Sequence, residues 1–238
     1  MNTCLFCFAP LVRHDRLLEG FKLREQAAFC SDCIERLRLI TAQDDLCSRC
    51  RKSTSEGAVC GDCFSWEREH GYIVKHDAVF HYNDFALDAL WQIKYNRDIH
   101  LIRGFYFFIK RTLKETYDLS TTVFIPIPSN QTALEIRRFN LIEFIFFELH
   151  IPVNVVPIFV TLTRKEEQQH SLNKAQRLRA ADRRYRVDVS RLKVLEMQQY
   201  EHIVIIDDVY TSGATIRGAV QSLPSLCRKH VRSFSIFR

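Results

Sequence analysis

Two groups of residues in this chain have types and spacing suited to chemistry. The first is Ile203-Val-Ile-Ile-Asp207-Asp208-Val209-Tyr210-Thr211-Ser212-Gly213-Ala214-Thr215. Its apolar start reads as a buried strand delivering two carboxylates at its C-terminal end, where open α/β sheets place their ligands. A turn of small and hydroxylated residues then runs straight into a helix. Backbone N–H groups of that turn, the helix N-terminus and the hydroxyls of Thr211, Ser212 and Thr215 can together cradle an anion. Gly213 permits close backbone approach and a left-handed dihedral. The adjacent Asp207 and Asp208 suit the diol of a ribose, directly or through Mg²⁺. The loop therefore fits a ribose 5-phosphate group. It is not a Walker A loop, which would end in Gly-Lys-Ser/Thr. The plain alternative is a capped helix behind a strand with two edge-exposed acids. Two acids, three hydroxyls and a glycine within nine residues argue against it.

The second group is four C-x-x-C pairs: Cys4/Cys7, Cys30/Cys33, Cys47/Cys50 and Cys60/Cys63. Two intervening residues let both sulfurs of a tight knuckle face one ion, and two knuckles supply a tetrahedral Cys4 set. Eight ligands make two structural zinc sites. Pairing in chain order is simplest, and a cross-braced arrangement stays open. Thioredoxin-like redox chemistry lacks its surrounding pattern here. With four thiolates around each ion, no position remains for an activated water, so the zinc is structural rather than catalytic. A segment this short and poor in large apolar residues gains from metal the folding free energy that packing lacks, on the order of 10 kcal/mol per site. The ninth cysteine, Cys227, reads as an inert thiol on an apolar helix face.

The elements that must position these groups fall into two compositional regions. Residues 1–72 hold eight cysteines, polar connectors and little periodicity, and read as a double zinc-ribbon domain. From 73 to 238 strands alternate with amphipathic helices, giving an α/β domain with a largely parallel sheet flanked by helices. Strands are expected at Ala78–Tyr82, Thr122–Ile127, Val153–Val156, His202–Ile206 and Val231–Phe237. Helices are expected at Phe85–Tyr95, Ile99–Thr116, Ala133–Leu149 and Ile216–Lys229. The stretch Thr163–Arg186, rich in Gln, Arg and Lys, reads as a basic excursion with some helix. Beyond the C-x-x-C pairs there is no internal repeat.

Bulk properties narrow the function classes. The 238 residues are 47% hydrophobic and 26% charged, ordinary for a folded globular protein. A net charge of +6 favours an anionic partner, either nucleic acid or a phosphorylated small molecule. The N-terminus lacks the cationic lead, apolar core and cleavage site of a signal peptide, and no run approaches a membrane span. From these features, with cysteines in metal spacing, a cytoplasmic protein is expected.

The Asp207–Thr215 loop resembles the ribose-phosphate signature of type I phosphoribosyltransferases. With the cysteine-rich front end, the whole chain resembles the ComF family of late competence proteins (ComFC-like, GntX-related). The resemblance runs through the knuckles, Tyr82-Asn83, Lys94-Tyr95, Pro126-Ile-Pro128, Arg137-Arg138-Phe139-Asn140, the Gln169–Leu178 segment and the Asp207–Thr215 loop. It implies a phosphoribosyltransferase fold, zinc, and a part in bringing transforming DNA across the cytoplasmic membrane. It further implies single-stranded DNA binding and work beside an ATP-driven DNA translocase, which would bring the protein to the inner membrane face. By the family's motif, Asp207 and Asp208 would meet the ribose hydroxyls, Thr211, Ser212, Gly213, Ala214 and Thr215 the 5-phosphate, and Lys94–Asp98 the pyrophosphate of phosphoribosyl pyrophosphate. Related sequences carry a glycine in that last loop and Arg-Gly-Phe-Asn-Gln after the Pro-x-Pro strand. Here the loop reads Tyr95-Asn-Arg-Asp98 and the second segment lacks both Gly and Gln.

Three basic groups are candidates for nucleic-acid phosphates: Arg36/Arg38 with Arg49, Arg51 and Lys52; Arg137/Arg138; and the Arg164–Lys193 excursion with Lys174 and Arg177. Phe64, Trp66, Tyr95 and Tyr185 are candidate stacking platforms. Each basic group could equally be a solvated face, and a zinc ribbon could dock a protein instead. The leading expectation is a DNA-uptake factor. The rivals are an active phosphoribosyltransferase, with Asp207, Asp208 and Lys94 orienting ribose and stabilising pyrophosphate through Mg²⁺, and a sensor whose phosphoribosyl ligand tunes partner affinity.

Overall fold

The computed structural model describes residues 3–11, 28–54, 58–129, 134–135, 138–148, 150, 153–161, 185–197, 200–225 and 227–238. Arg137, Lys174, Arg177 and the Gln169–Leu178 segment lie outside the described residues.

Five strands form one parallel sheet. They are β1 (Lys75–Phe80), β2 (Thr122–Pro126), β3 (Asn154–Val155), β6 (His202–Val209) and β7 (Val231–Phe237), in the order β1-β7-β6-β2-β3. Each neighbouring pair is parallel, with Ile205 paired to Ile125 on one side and to Ser233 on the other. Side chains alternate across a strand, so the apolar run in β6 serves two cores at once. Val204 and Ile206 join Phe124 and Phe234 on one face, whereas Ile205 joins Val123 and Ile125 on the other.

Helices cover the first face. They are α1 (Ser31–Leu37), α3 (Asp84–Tyr95), α4 (Arg103–Thr116) and α5 (Leu141–Glu148), with a 3₁₀ turn at Ile99–Ile102 before α4. The Asn83 side chain caps α3 by accepting from the Ala86 N–H at 2.9 Å, and its amide donates to the Arg36 carbonyl at 2.7 Å. The second face is covered by α7 (Ala214–Ser222), the second cysteine group and a separate antiparallel pair, β4 (Phe159–Thr161) and β5 (Tyr185–Val187). The remaining helices are α2 (Gly61–His70) and α6 (Val189–Met197).

Several boundaries differ from expectation, each for a local reason. The helix expected from 133 has its regular part at Leu141–Glu148, because Asn140 accepts from the Ile142 N–H and starts the helix there. The helix expected to reach Lys229 ends at Ser222, before Pro224. Cys227 accordingly sits half-buried in the connection to β7 and not on a helix face. β4, β5 and α6 were not anticipated, and the end of the basic excursion, Tyr185-Arg186, belongs to β5.

The cysteine-rich segment docks directly on the sheet. Leu39 bridges Phe80, and Phe29, Ile34 and Leu37 share the first core with Phe80 and Phe105. Gly104 makes this possible: a Cβ there would stand 2.2 Å from the Phe29 ring. No helix among the described residues is long and apolar enough to cross a membrane.

Candidate functional site

Because all five strands are parallel, their C-terminal ends lie at one edge of the sheet, and β6 brings Asp207 and Asp208 there. The Asp207 carboxylate folds back to accept from the Asp208 N–H at 2.9 Å. Lys94, in the last turn of α3, reaches the same edge, with Nζ 2.5 Å from Asp208 Oδ2; both are about four-fifths buried. A cation is thus stored beside the carboxylate pair.

The loop after β6 turns on two features. Tyr210 is buried under it, stacked obliquely on His76 with ring centroids 4.0 Å apart. Gly213 has φ +77°, and a Cβ there would stand 2.3 Å from the Tyr210 hydroxyl. Only glycine meets both conditions. Ser212 Oγ accepts from the Ala214 N–H at 3.3 Å, tightening the turn. Gly213 is the N-cap of α7 and offers no capping side chain, so the helix opens toward the loop with its dipole favouring an anion. Thr211 is exposed; Ser212, Ala214 and Thr215 are half-buried.

The Lys94–Asp98 loop is a tight turn from α3 into the 3₁₀ segment, with the exposed Arg97 at φ +60°. Arg138 likewise has φ +67° and is exposed. In both segments an arginine takes the left-handed conformation, at roughly 1–2 kcal/mol each. Asn140 of the second segment donates to the Ile127 carbonyl at 3.2 Å, fixing α5 to the end of β2.

The cysteines gather in chain order into two groups, Cys4/Cys7/Cys30/Cys33 and Cys47/Cys50/Cys60/Cys63, with the sulfurs of each within 4.8 Å of one another. That grouping resolves the pairing left open by spacing. The two groups are built alike. The first knuckle of each is a hairpin ending in a left-handed residue, Phe8 at φ +61° and Arg51 at φ +58°. The second opens a helix, with Cys30 at the N-cap of α1 and Cys60 at that of α2. Even the Cys30 N–H to Cys4 Sγ bond is repeated by the Cys60 N–H to Cys47 Sγ, both 3.3 Å.

Neighbouring sulfurs stand 3.6–3.7 Å apart. Four sulfurs at about 2.3 Å from a tetrahedral zinc would stand about 3.8 Å apart. The donor sets fit zinc in type, number and spacing. At Cys50 the largest influence is the hydrogen bond from the Cys63 thiol; burial opposes it, Arg238 assists, and the thiol is pulled down to about 4.

The predicted nucleic-acid residues fare unevenly. Arg49, Arg51 and Lys52 are held in ion pairs with Glu67, Asp77 and Asp62 at 2.6, 3.4 and 3.3 Å. Arg36 lies over the Phe85 ring at 4.2 Å. These cations join the cysteine segment to itself and to the rest of the protein. Of the stacking candidates, Trp66 and Tyr185 are buried, which removes them as platforms, while Phe64 and Tyr95 are exposed. Sequence reasoning missed Trp91, half-exposed one turn before Tyr95 with ring centroids 6.0 Å apart. The i, i+4 spacing on α3 could have found it.

It also missed a buried polar cluster. Asp77 accepts from Arg232 at 2.7 Å and Tyr117 at 3.0 Å, beside Arg51. Wholly buried, His76 lies between the Ser233 and Ser235 hydroxyls, each 3.0 Å away. Burial, with Arg238 and Arg51 nearby, holds it neutral well below the usual histidine range.

No family model matches the chain. Two curated proteins are similar over nearly their whole length. Competence protein ComFC of Bacillus subtilis is 27% identical over 243 residues, spanning 99% of this chain and 94% of the relative. Competence protein ComFC of Streptococcus pneumoniae is 28% identical over 218 residues, spanning 90% and 89%.

Proposed function

We propose, from this full-length kinship with the ComFC competence proteins, that the chain acts in DNA uptake during natural transformation. The observation that carries the reading is the coverage. Both relatives match across the cysteine-rich segment and the α/β region together, so the combination of parts is shared and not one common module. In this reading residues 73–238 form a phosphoribosyltransferase-like domain whose Asp207–Thr215 loop holds a ribose 5-phosphate group. Residues 1–72 form a double zinc ribbon that braces this domain and docks on an ATP-driven DNA translocase. Incoming single-stranded DNA is held by cations, the exposed Arg138 and, outside the described residues, Arg137, Lys174 and Arg177. Exposed rings on α3 offer stacking surfaces. The protein works in the cytoplasm, at the membrane's inner face through its partner.

Deleting the gene tests this directly. Transformation by a chromosomal marker should collapse while growth continues, and the wild-type gene should restore it; normal transformation in the deletion strain would contradict the proposal.

A second reading, an active phosphoribosyltransferase, is favoured by one observation: Lys94 stands against Asp208 at the strand edge. A cation there could stabilise departing pyrophosphate while the carboxylates hold the ribose. Pyrophosphate release from phosphoribosyl pyrophosphate with Mg²⁺, screened over nucleobases, checks it. Release with any base supports transfer, and none across the panel leaves ligand binding alone.

A further inference from the structure

The two cysteine groups are built alike but connected differently. The first packs against apolar side chains, among them Phe29 and Ile34. The second is bridged by hydrogen bonds to the entry of the phosphate loop and to the helix that follows it. Arg238, directly after β7, donates from Nε to the Cys50 carbonyl at 2.6 Å and from Nη2 to Cys50 Sγ at 3.3 Å. Its other terminal nitrogen donates to the carbonyls of Tyr210 and Thr211 at 3.2 and 3.1 Å, and its guanidinium lies 4.8 Å over the Tyr210 ring. One residue therefore holds a metal ligand and the entry of the loop.

Arg217 ties the helix at the loop's exit to the same centre. Its backbone N–H makes the first-turn helical bond to the Gly213 carbonyl at 2.9 Å, so the residue is fixed to the start of α7. Its guanidinium reaches the Asp62 carbonyl at 3.3 Å and Cys63 Sγ at 3.8 Å, and lies over the Trp66 ring. Arg217 is buried, and no carboxylate is among these partners. A buried guanidinium needs a negative counterpart. Four thiolates around Zn²⁺ carry a net charge of −2, which two guanidiniums balance.

From this wiring we infer that the second tetra-cysteine centre regulates the phosphate loop: with zinc bound, Arg238 and Arg217 are anchored on its thiolates and hold residues 210–213 in the ligand-ready shape. Both arginines are positioning residues. The inference rests on the reading of this loop as a ribose 5-phosphate site. Without metal the four sulfurs are no longer held at one centre, the two guanidiniums lose their fixed anchor on Cys50 and Cys63, and the loop relaxes. Linkage makes the effect reciprocal, so ligand in the loop retains zinc in the second centre and leaves the first unaffected.

The test uses the full-length zinc-loaded protein and ribose 5-phosphate as probe. Arg238→Met and Arg217→Met should each weaken binding by about tenfold with zinc content kept, and Arg238→Lys should recover part of the loss. In the wild type, ribose 5-phosphate should slow chelator-driven release of one zinc and leave the other unchanged. Unchanged affinity in both methionine variants, with zinc release indifferent to ligand, would overturn the inference. If the wild type binds no ribose 5-phosphate, the phosphate-site reading fails separately. Amide exchange at residues 210–214 then decides: acceleration in Arg238→Met with both zincs retained upholds the wiring, and unchanged exchange refutes it.

Discussion

At Gly213 the backbone needs φ +77° and the Tyr210 hydroxyl fills the space a side chain would take. Gly213→Ala therefore meets two penalties, left-handed strain of roughly 1–2 kcal/mol and a clash with a buried ring. Titration calorimetry should show ribose 5-phosphate binding lost while most of the fold's stability survives. For Asp207→Asn with Asp208→Asn, removing both acids should also weaken that binding; unchanged affinity would mean the acids serve structure alone. His76 gives a pH prediction. The unfolded chain protonates it near 6.5, the folded protein only well below that. Acid therefore favours the unfolded state, and stability falls by up to about 1.4 kcal/mol per pH unit below that point. Denaturant unfolding between pH 7 and 5 should show a shallower loss for His76→Gln than for the wild type. The loop and the knuckles were legible in the sequence because their chemistry is local, carried by residues at short fixed spacings. Arg238 and Arg217 were not, since their meaning depends on contacts with residues more than 150 positions away. A faint signal existed at Arg217: a cation in a helix's N-terminal half opposes the dipole and asks for a partner.

At the scale of elements, β6 was readable because a central parallel strand is apolar on both faces, and β7 because Phe234 and Ile236 alternate toward the core. β4 and β5 were not, being three residues each and separated by the basic excursion. α6 lacks an apolar stripe to announce it. The close approach of the first cysteine group to α4 depends on Gly104, whose missing Cβ accommodates Phe29. Gly104→Ala should cost roughly 1–3 kcal/mol by overpacking, read as a lower denaturant midpoint. Adding Phe29→Leu should recover part of it, because the smaller side chain can withdraw. Full stability in Gly104→Ala would mean that this interface is looser than drawn.

For the whole molecule, metal, core and site form one assembly. The cysteine segment contributes Phe29, Ile34 and Leu37 to the first core and two thiolates to the arginines flanking the loop. About two zinc ions per chain are expected by elemental analysis, and their removal should unfold the segment and lower the stability of the sheet with it. The central claim, that this assembly handles incoming DNA, is tested most directly by fluorescence anisotropy of a labelled oligonucleotide, single- against double-stranded, across a salt series. The account predicts a preference for the single strand and affinity falling steeply with salt as phosphate contacts are lost. No binding to either oligonucleotide at moderate salt would contradict it.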